Sequence, residues 1–281
     1  MERSSRPYRL VAWGILLGLL FLPLQSAAGL QLAAYRSTVV PLNLLDNTRF
    51  PYRSEFLELN VDEFLREKSA PLSLYRVHLF GTEGSVADVV SLVAHYYGIN
   101  PKVLLALMEA QAGLLSHPPL ERLEDRILGY ASPPGECQGD GLCAGDGRSL
   151  FSQTALLGKH LQEGYFAWQE AQEGRATYPM IAFPDGSRQE VAPDTNAATF
   201  AVLHVLAEVN EPARWAQLVN PDDPAGFSQV YVRFFGENPA LPFEVQSRAS
   251  VYPSTIRFPW PGPMGDPWYY TQGPHGNVPG D

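Results

Sequence analysis

One carboxylate stands out in this 281-residue sequence: Glu109, inside Ile99-Asn100-Pro101-Lys102-Val103-Leu104-Leu105-Ala106-Leu107-Met108-Glu109-Ala110-Gln111-Ala112-Gly113. At about 100° per residue, Val103, Leu104, Leu107 and Met108 share one helix face and Glu109 points nearly opposite. Its neighbours on that side are Leu105, Ala106, Ala112 and Gly113, with no cation one turn away. A helix apolar on every side is a buried helix. A carboxyl group in such surroundings can keep a proton and donate it as a general acid. The competing explanation is structural, a carboxylate hydrogen-bonded to backbone at the edge of a helix. Cys137 and Cys143 are the other reactive pair, six apart in Glu136-Cys-Gln-Gly-Asp-Gly-Leu-Cys. Two thiols with no histidine nearby make a poor zinc site, and Asp140 and Asp146 lack the spacing of a calcium loop. A local disulfide is the expected use of Cys137 and Cys143 in an exported chain.

The elements that must position these residues are written in the punctuation of the chain. Asn100 is an N-cap, Pro101 suits the first helical position, and Gly113 ends the Glu109 helix. Just upstream, Val86, Val89, Val90, Val93 and Tyr97 recur at helical spacing and Gly98 closes that helix. Asn60 with Glu63 forms an N-cap signature for a helix through about Lys68. A long helix is predicted over Leu150 to Gln172, with Phe151, Ala155, Leu156, Leu161, Tyr165 and Trp168 on its buried side. Asn196 caps a helix over Ala197 to Val209, and another runs from Phe227 to Phe235, ending at Gly236. A short helix is expected at Leu120 to Leu128. The only hairpin expected turns at Asp185-Gly186. The fold class is therefore mainly α, a helical domain with one small β-hairpin and a mostly irregular C-terminal tail.

Composition bounds the function. An apolar content of 45% with 18% charged residues is that of a globular chain and not a disordered one. A formal net charge of −10 excludes non-specific nucleic-acid binding, which needs a basic surface. Arg3, Arg6 and Arg9 precede the apolar run Leu10 to Leu24, and Ser26-Ala27-Ala28 offers a cleavage site. That is a secretory signal peptide. The run is short for a span and Pro23 interrupts it, so membrane contact is expected only through an uncleaved signal. The expected location is secreted, extracellular or in the cell envelope. The 25 prolines cluster after Pro118 and near the C-terminus, which implies ordered loops and a linker. The expected division is a signal peptide over 1–28, a lead-in segment over 29–80, the helical domain over 81–240 and a tail over 241–281.

Five stretches together resemble a family: Tyr97 to Gly113, Gly164-Tyr165-Phe166-Ala167-Trp168, Phe183-Pro-Asp-Gly-Ser187, Asn196-Ala-Ala-Thr-Phe200 and Tyr231-Val-Arg-Phe-Phe-Gly236. They look like the lysozyme-like domain of exported bacterial cell-wall enzymes, the soluble lytic transglycosylases and goose-type lysozymes. The resemblance covers about 160 residues. It implies an α+β lysozyme-like fold and a catalytic acid at Glu109. The chain departs from the family pattern at Ala112, where a serine usually stands. The family's Gly-Leu-Met-Gln motif is echoed by Leu150-Phe151-Ser152-Gln153, which makes Gln153 a substrate-binding candidate. Tyr130, Tyr165 and Trp168 could stack on sugars, with ordinary core packing as their alternative role. The activity implied is cleavage of peptidoglycan glycan strands by a single glutamate acting as acid and then base. A hydrolase would need a second carboxylate, for which Glu121, Glu124, Asp125, Glu136, Asp140 and Asp146 are candidates. No cofactor is expected for such an enzyme.

The tail is similar to something else. Phe258-Pro-Trp-Pro-Gly-Pro-Met-Gly-Asp-Pro-Trp-Tyr-Tyr-Thr-Gln-Gly-Pro-His275-Gly looks like the opening of an M23 (lysostaphin-like) zinc peptidoglycan endopeptidase. The resemblance implies that His275 is a first zinc ligand. Zinc needs three protein ligands and an open position, so the metal is expected only with a complete peptidase domain, of which this tail looks like a truncated start. Two further functional readings follow: a non-catalytic peptidoglycan-binding or scaffold domain, and a fragment of a bifunctional M23 endopeptidase.

Overall fold

The computed structural model describes residues 43–52, 59–130, 142 and 147–243. The chain divides into two compact units, Met1–Leu241 and Pro242–Asp281, and the architecture below belongs to the first. After a 3-10 turn at Asn47–Arg49 come helices α1 (Val61–Lys68) and α2 (Ala70–Leu74) and a hairpin of β1 (Arg76–Leu79) and β2 (Thr82–Ser85). Helices α3 (Val86–Tyr97) and α4 (Pro101–Ala112) follow, then a 3-10 turn at Leu120–Arg122 and the long α5 (Leu150–Gln172). A second hairpin pairs β3 (Ile181–Ala182) with β4 (Arg188–Gln189), and α6 (Ala197–Glu208), α7 (Pro212–Leu218) and α8 (Phe227–Phe235) complete the unit.

The molecule is thus mainly helical, as its periodicity implies, and the helix ends fall on their sequence signals. Ser85 and Asp88 form a reciprocal capping box at α3, and Gly98 ends it with φ +67°. The Asn100 side chain accepts the Lys102 amide at α4, Pro101 occupies its first turn, and Gly113 leaves with φ +64°. Helix α4 is buried nearly all round: Val103, Leu104, Leu105, Ala106, Leu107 and Met108 are all without exposure. At roughly 1.5–3 kcal/mol per large buried side chain, this burial is what holds the helix in place. Helix α5 packs along α6 and crosses α3 so closely that a Cβ at Gly158 would lie 2.6 Å from the Tyr97 ring and 2.7 Å from Val93. Glycine is needed there to let the two helices meet.

Three expectations are corrected. Two antiparallel hairpins occur among the described residues, not one. The unexpected one, β1–β2, pairs Leu79 with Thr82 and turns through Phe80 (φ +47°) and Gly81 (φ +83°). Two consecutive positive φ values are the requirement of a type I′ turn, but phenylalanine is a poor advertisement for it, so the turn has no clear sequence signal. The expected helix at Leu120 to Leu128 is only the 3-10 turn at Leu120–Arg122. The short α2 and α7 carry too few residues for periodicity to show.

The N-terminal segment belongs to the same core. Leu44, Leu45 and Phe50 are buried, and Thr199 Oγ1 on α6 accepts the backbone N–H groups of Leu44 and Leu45 at 3.0 and 3.1 Å. The segment leaving α8 returns to meet it. The Asp46 amide donates to the Pro239 carbonyl at 2.8 Å, and Arg49 Nε donates to the Leu241 carbonyl at 2.6 Å. Residues 46–49 and 239–241 of the unit therefore lie side by side.

Candidate functional site

Glu109 is on the last turn of α4 and only 6% exposed. Its carboxylate is not alone. Oε2 accepts the backbone N–H groups of Leu115 and Ser116 at 2.7 and 3.0 Å. Oε1 accepts the Ser116 hydroxyl and, at 3.0 Å, Nη2 of Arg233 from α8. The chain turns at Gly113 and folds back over the helix end, so the amides of Leu115 and Ser116 point at the side chain six and seven residues behind them. A C-terminal helical turn normally strands carbonyls; here the segment beyond it needs an acceptor, and Glu109 supplies one. The helix itself places no cation one turn from Glu109, and the structure brings one from another helix, 124 residues away. Both oxygens work as acceptors, and four donors, one of them a guanidinium, face them.

The Glu109 turn forms one wall of a groove of about 470 Å³. Ala110, Ala112, Gly113, Ala225 and Val230 also line it, with Arg214 and Arg233 at its sides. Arg214 Nη2 reaches the Ala110 carbonyl at 3.3 Å, so α7 and α8 each lay an arginine over the end of α4. None of this was legible from the helix alone, because Arg214, Arg233 and Ser116 lie on separate segments.

The four substrate-binding candidates have other partners. Gln153 has no exposure and imitates a backbone amide: Oε1 accepts the Tyr130 N–H at 3.0 Å while Nε2 donates to the Tyr130 and Gly147 carbonyls at 2.7 and 2.5 Å. It thereby ties Tyr130 to Gly147, the residues that flank the cysteine-bearing stretch in the sequence. Tyr130 is fully buried; its hydroxyl accepts Gln111 Nε2 at 2.9 Å and donates to the Val205 carbonyl at 3.2 Å, and burial pushes its pKa up. Trp168 is also without exposure, stacked on Phe200 at 4.3 Å with Nε1 donating to the Thr195 carbonyl at 2.7 Å. Tyr165 stacks face to face on Phe50 at 4.4 Å. A sugar ring cannot reach a side chain that has no exposed surface, so Tyr130, Gln153 and Trp168 serve packing. Cys137, Cys143 and His275 lie outside the described residues, as do Glu136, Asp140 and Asp146. Among the described residues, no three His, Cys, Asp or Glu side chains are placed to hold a metal ion.

Two polar clusters had no sequence signal. Glu237 bridges Arg49 and Lys102, each at 2.5 Å. On the α5–α6 face, His160 Nδ1 lies 2.8 Å from Glu208. His204 beside them is held below the usual histidine range, chiefly by burial, with His160 adding to the effect and Glu208 opposing it.

Comparison with known proteins decides between the resemblances. A family model described as LasA, N-terminal domain, matches residues 43–247, most of the chain and the whole of the folded unit described above. The chain belongs to the LasA N-terminal domain family. Protease LasA of Pseudomonas aeruginosa, in strains PAO1 and UCBPP-PA14, is 27% identical to it over 247 residues. The match covers 84% of this chain and 52% of the relative, so the chain spans about half the length of the curated relatives it matches. No solved structure matches it. Membership in the LasA N-terminal domain family overturns the lysozyme-like resemblance, and the transglycosylase expectation goes with it. The reason is visible in the α4 geometry. An N-cap, a proline, an apolar run, a glutamate and a glycine are what any buried helix needs when its own carboxylate must satisfy the turn that follows. This LasA-type chain is secreted, and no helix among the described residues is long and apolar enough to cross a membrane.

Proposed function

We propose that this chain is the N-terminal part of an exported M23-type peptidoglycan endopeptidase, and that its folded unit is the non-catalytic part of that enzyme. The observation that carries this reading is the order of segments. The family match ends at residue 247, the stretch similar to an M23 opening begins at Phe258, and relatives matched over 84% of the chain are named as proteases. The substrate on this reading is the peptide cross-link of peptidoglycan and not its glycan strand. The geometry at Glu109 supports it: a carboxylate whose two oxygens already accept four hydrogen bonds is committed to holding its own turn.

Zinc would be the implied metal, and the residues of this chain do not fit it by themselves. A catalytic zinc needs three protein ligands. The described residues bring no such group together, and beyond them the tail adds His275 with Asp281 six residues on. No step of peptide hydrolysis is therefore assigned to residues 43–243. The test is to incubate purified peptidoglycan with residues 29–281 and, separately, with the gene product translated past the Asp281 codon. Mass analysis should show no product from the first and new peptide amino termini from the second, abolished by a chelator. Anhydro or reducing glycan ends released by either protein, and lost in Glu109→Gln, would overturn the reading.

A further inference from the structure

We infer that the groove at the end of α4 is a binding site for the free carboxylate of a peptide that ends in a small residue. Two guanidinium groups converge on it from different helices, Arg214 from α7 and Arg233 from α8. Each is held in place without being used up. Arg233 has one hydrogen bond, to Glu109, and its guanidinium lies 5.1 Å from the Phe234 ring. Arg214 spends Nη2 on the Ala110 carbonyl and Nη1 on Gln217 Oε1, at 3.3 and 3.2 Å. A guanidinium carries five N–H donors in a fixed fork, so most of the ten remain without a partner among the described residues.

The negative end of a helix attracts cations, which accounts for arginines over the last turn of α4. It does not account for a groove left open between them. The balance of charge there is positive: two arginines against one carboxylate, Glu109, in a chain whose overall charge is −10. The remaining lining is Gln111, whose Nε2 donates to the Tyr130 hydroxyl, and the small or apolar Ala110, Ala112, Gly113, Pro224, Ala225 and Val230. Small apolar side chains next to paired guanidinium groups match a carboxylate flanked by a methyl group, since Arg–carboxylate pairs form two parallel charge-assisted bonds. The volume is that of a site for a few residues and not a long polymer. This site stands on its own geometry and does not depend on the protease reading. Two sources share the chemistry: the D-alanine ends of peptidoglycan stem peptides and the C-termini of proteins.

The experiment is an NMR titration of the purified exported chain with acetyl-Lys-D-Ala-D-Ala, its all-L counterpart, and the C-terminal amide of each. Shifts are expected at the amides of Ala110, Ala112, Gly113 and Ala225, with the amides binding at least about tenfold more weakly than the acids, or roughly 1.4 kcal/mol. Arg214→Gln, which leaves the Glu109 bonds intact, should weaken the acids by a similar factor, while the distant Arg175→Gln should not. A preference for the D-peptide would assign the site to stem peptides and the reverse to protein C-termini. Equal binding of acid and amide, no effect of Arg214→Gln in a chain whose spectrum remains folded, or no shift at these amides would each overturn the proposal.

Discussion

The two glutamates Glu109 and Glu237 solve opposite problems on the same pair of helices. Lys102 stands in the first turn of α4 and Glu109 in its last. Both charges are on the wrong end for the helix dipole, each at a cost of about 0.3–1 kcal/mol. The structure offsets both with partners from the α8 region: Glu237 for Lys102 and Arg233 for Glu109. The pairs differ in everything else. Glu109 is almost wholly buried and takes three of its four hydrogen bonds from residues six and seven positions onward, so its work is mainly local. Glu237 is 30% exposed and meets side-chain cations 188 and 135 residues away, so its work is to hold the segment at Arg49 and the start of α4 to the segment that leaves α8. Desolvation and backbone amides make the first indispensable to its turn. Distance along the chain makes the second a fastener.

Breaking each end separately should show this order. Glu109→Ala leaves two backbone donors and a hydroxyl without an acceptor, and should cost about 3 kcal/mol in urea denaturation, with Glu109→Gln costing roughly half of that. Arg49→Ala removes the bonds to Leu241 and Glu237 from a site 7% exposed. About 2 kcal/mol is expected, together with faster limited proteolysis in residues 237–241, which a merely local defect would leave protected. Arg233→Gln tests the tertiary arm of the Glu109 cluster. Its side chain is half exposed, so water screens the pair and the expected loss is about 0.5–1 kcal/mol, diminished further in 1 M salt. A larger loss from Arg233→Gln than from Glu109→Gln would reverse the local reading of Glu109.

The α5–α6 layer gives a reference with a different signature. His204 has its pKa held down by burial, with Glu208 on α6 opposing the effect and His160 on α5 adding to it. Its folded pKa lies below the unfolded value of about 6.5, so on acidification the unfolded chain gains a proton that the folded chain does not. The stability this contributes is complete above that value and is lost as the pH falls below it. Urea midpoints should therefore drop between neutral and mildly acidic pH, and His204→Gln should flatten the slope without touching the α4–α8 comparison. A slope unchanged by His204→Gln would move the effect to another group.

Much of the helical layout was legible because capping is chemistry between near neighbours. Asn60, Ser85, Asn100 and Asn196 each hold an amide two or three residues on, and Gly98, Gly113 and Gly236 each turn the chain with positive φ. The hairpin at Asp185-Gly186 was legible for the same reason, since Asp185 itself binds the Ser187 amide and hydroxyl. Phe80 in a positive-φ turn gave no such cue. Gln153 was legible as a notable residue and not as what it is, a side chain standing in for backbone at Tyr130 and Gly147.

What the sequence by itself determined is the set of interactions that close within one helical turn: element boundaries, the burial of α4 and the presence of one acid within it. Only the tertiary structure decided what that acid does. Its orientation toward the turn at Leu115 and Ser116, the arrival of Arg233 and the groove shared with Arg214 depend on how α7 and α8 pack against α4. Those contacts join residues more than 100 positions apart. A buried carboxylate in a helix is the same string of letters whether it faces a substrate or its own backbone, because the difference lies in which donors reach it.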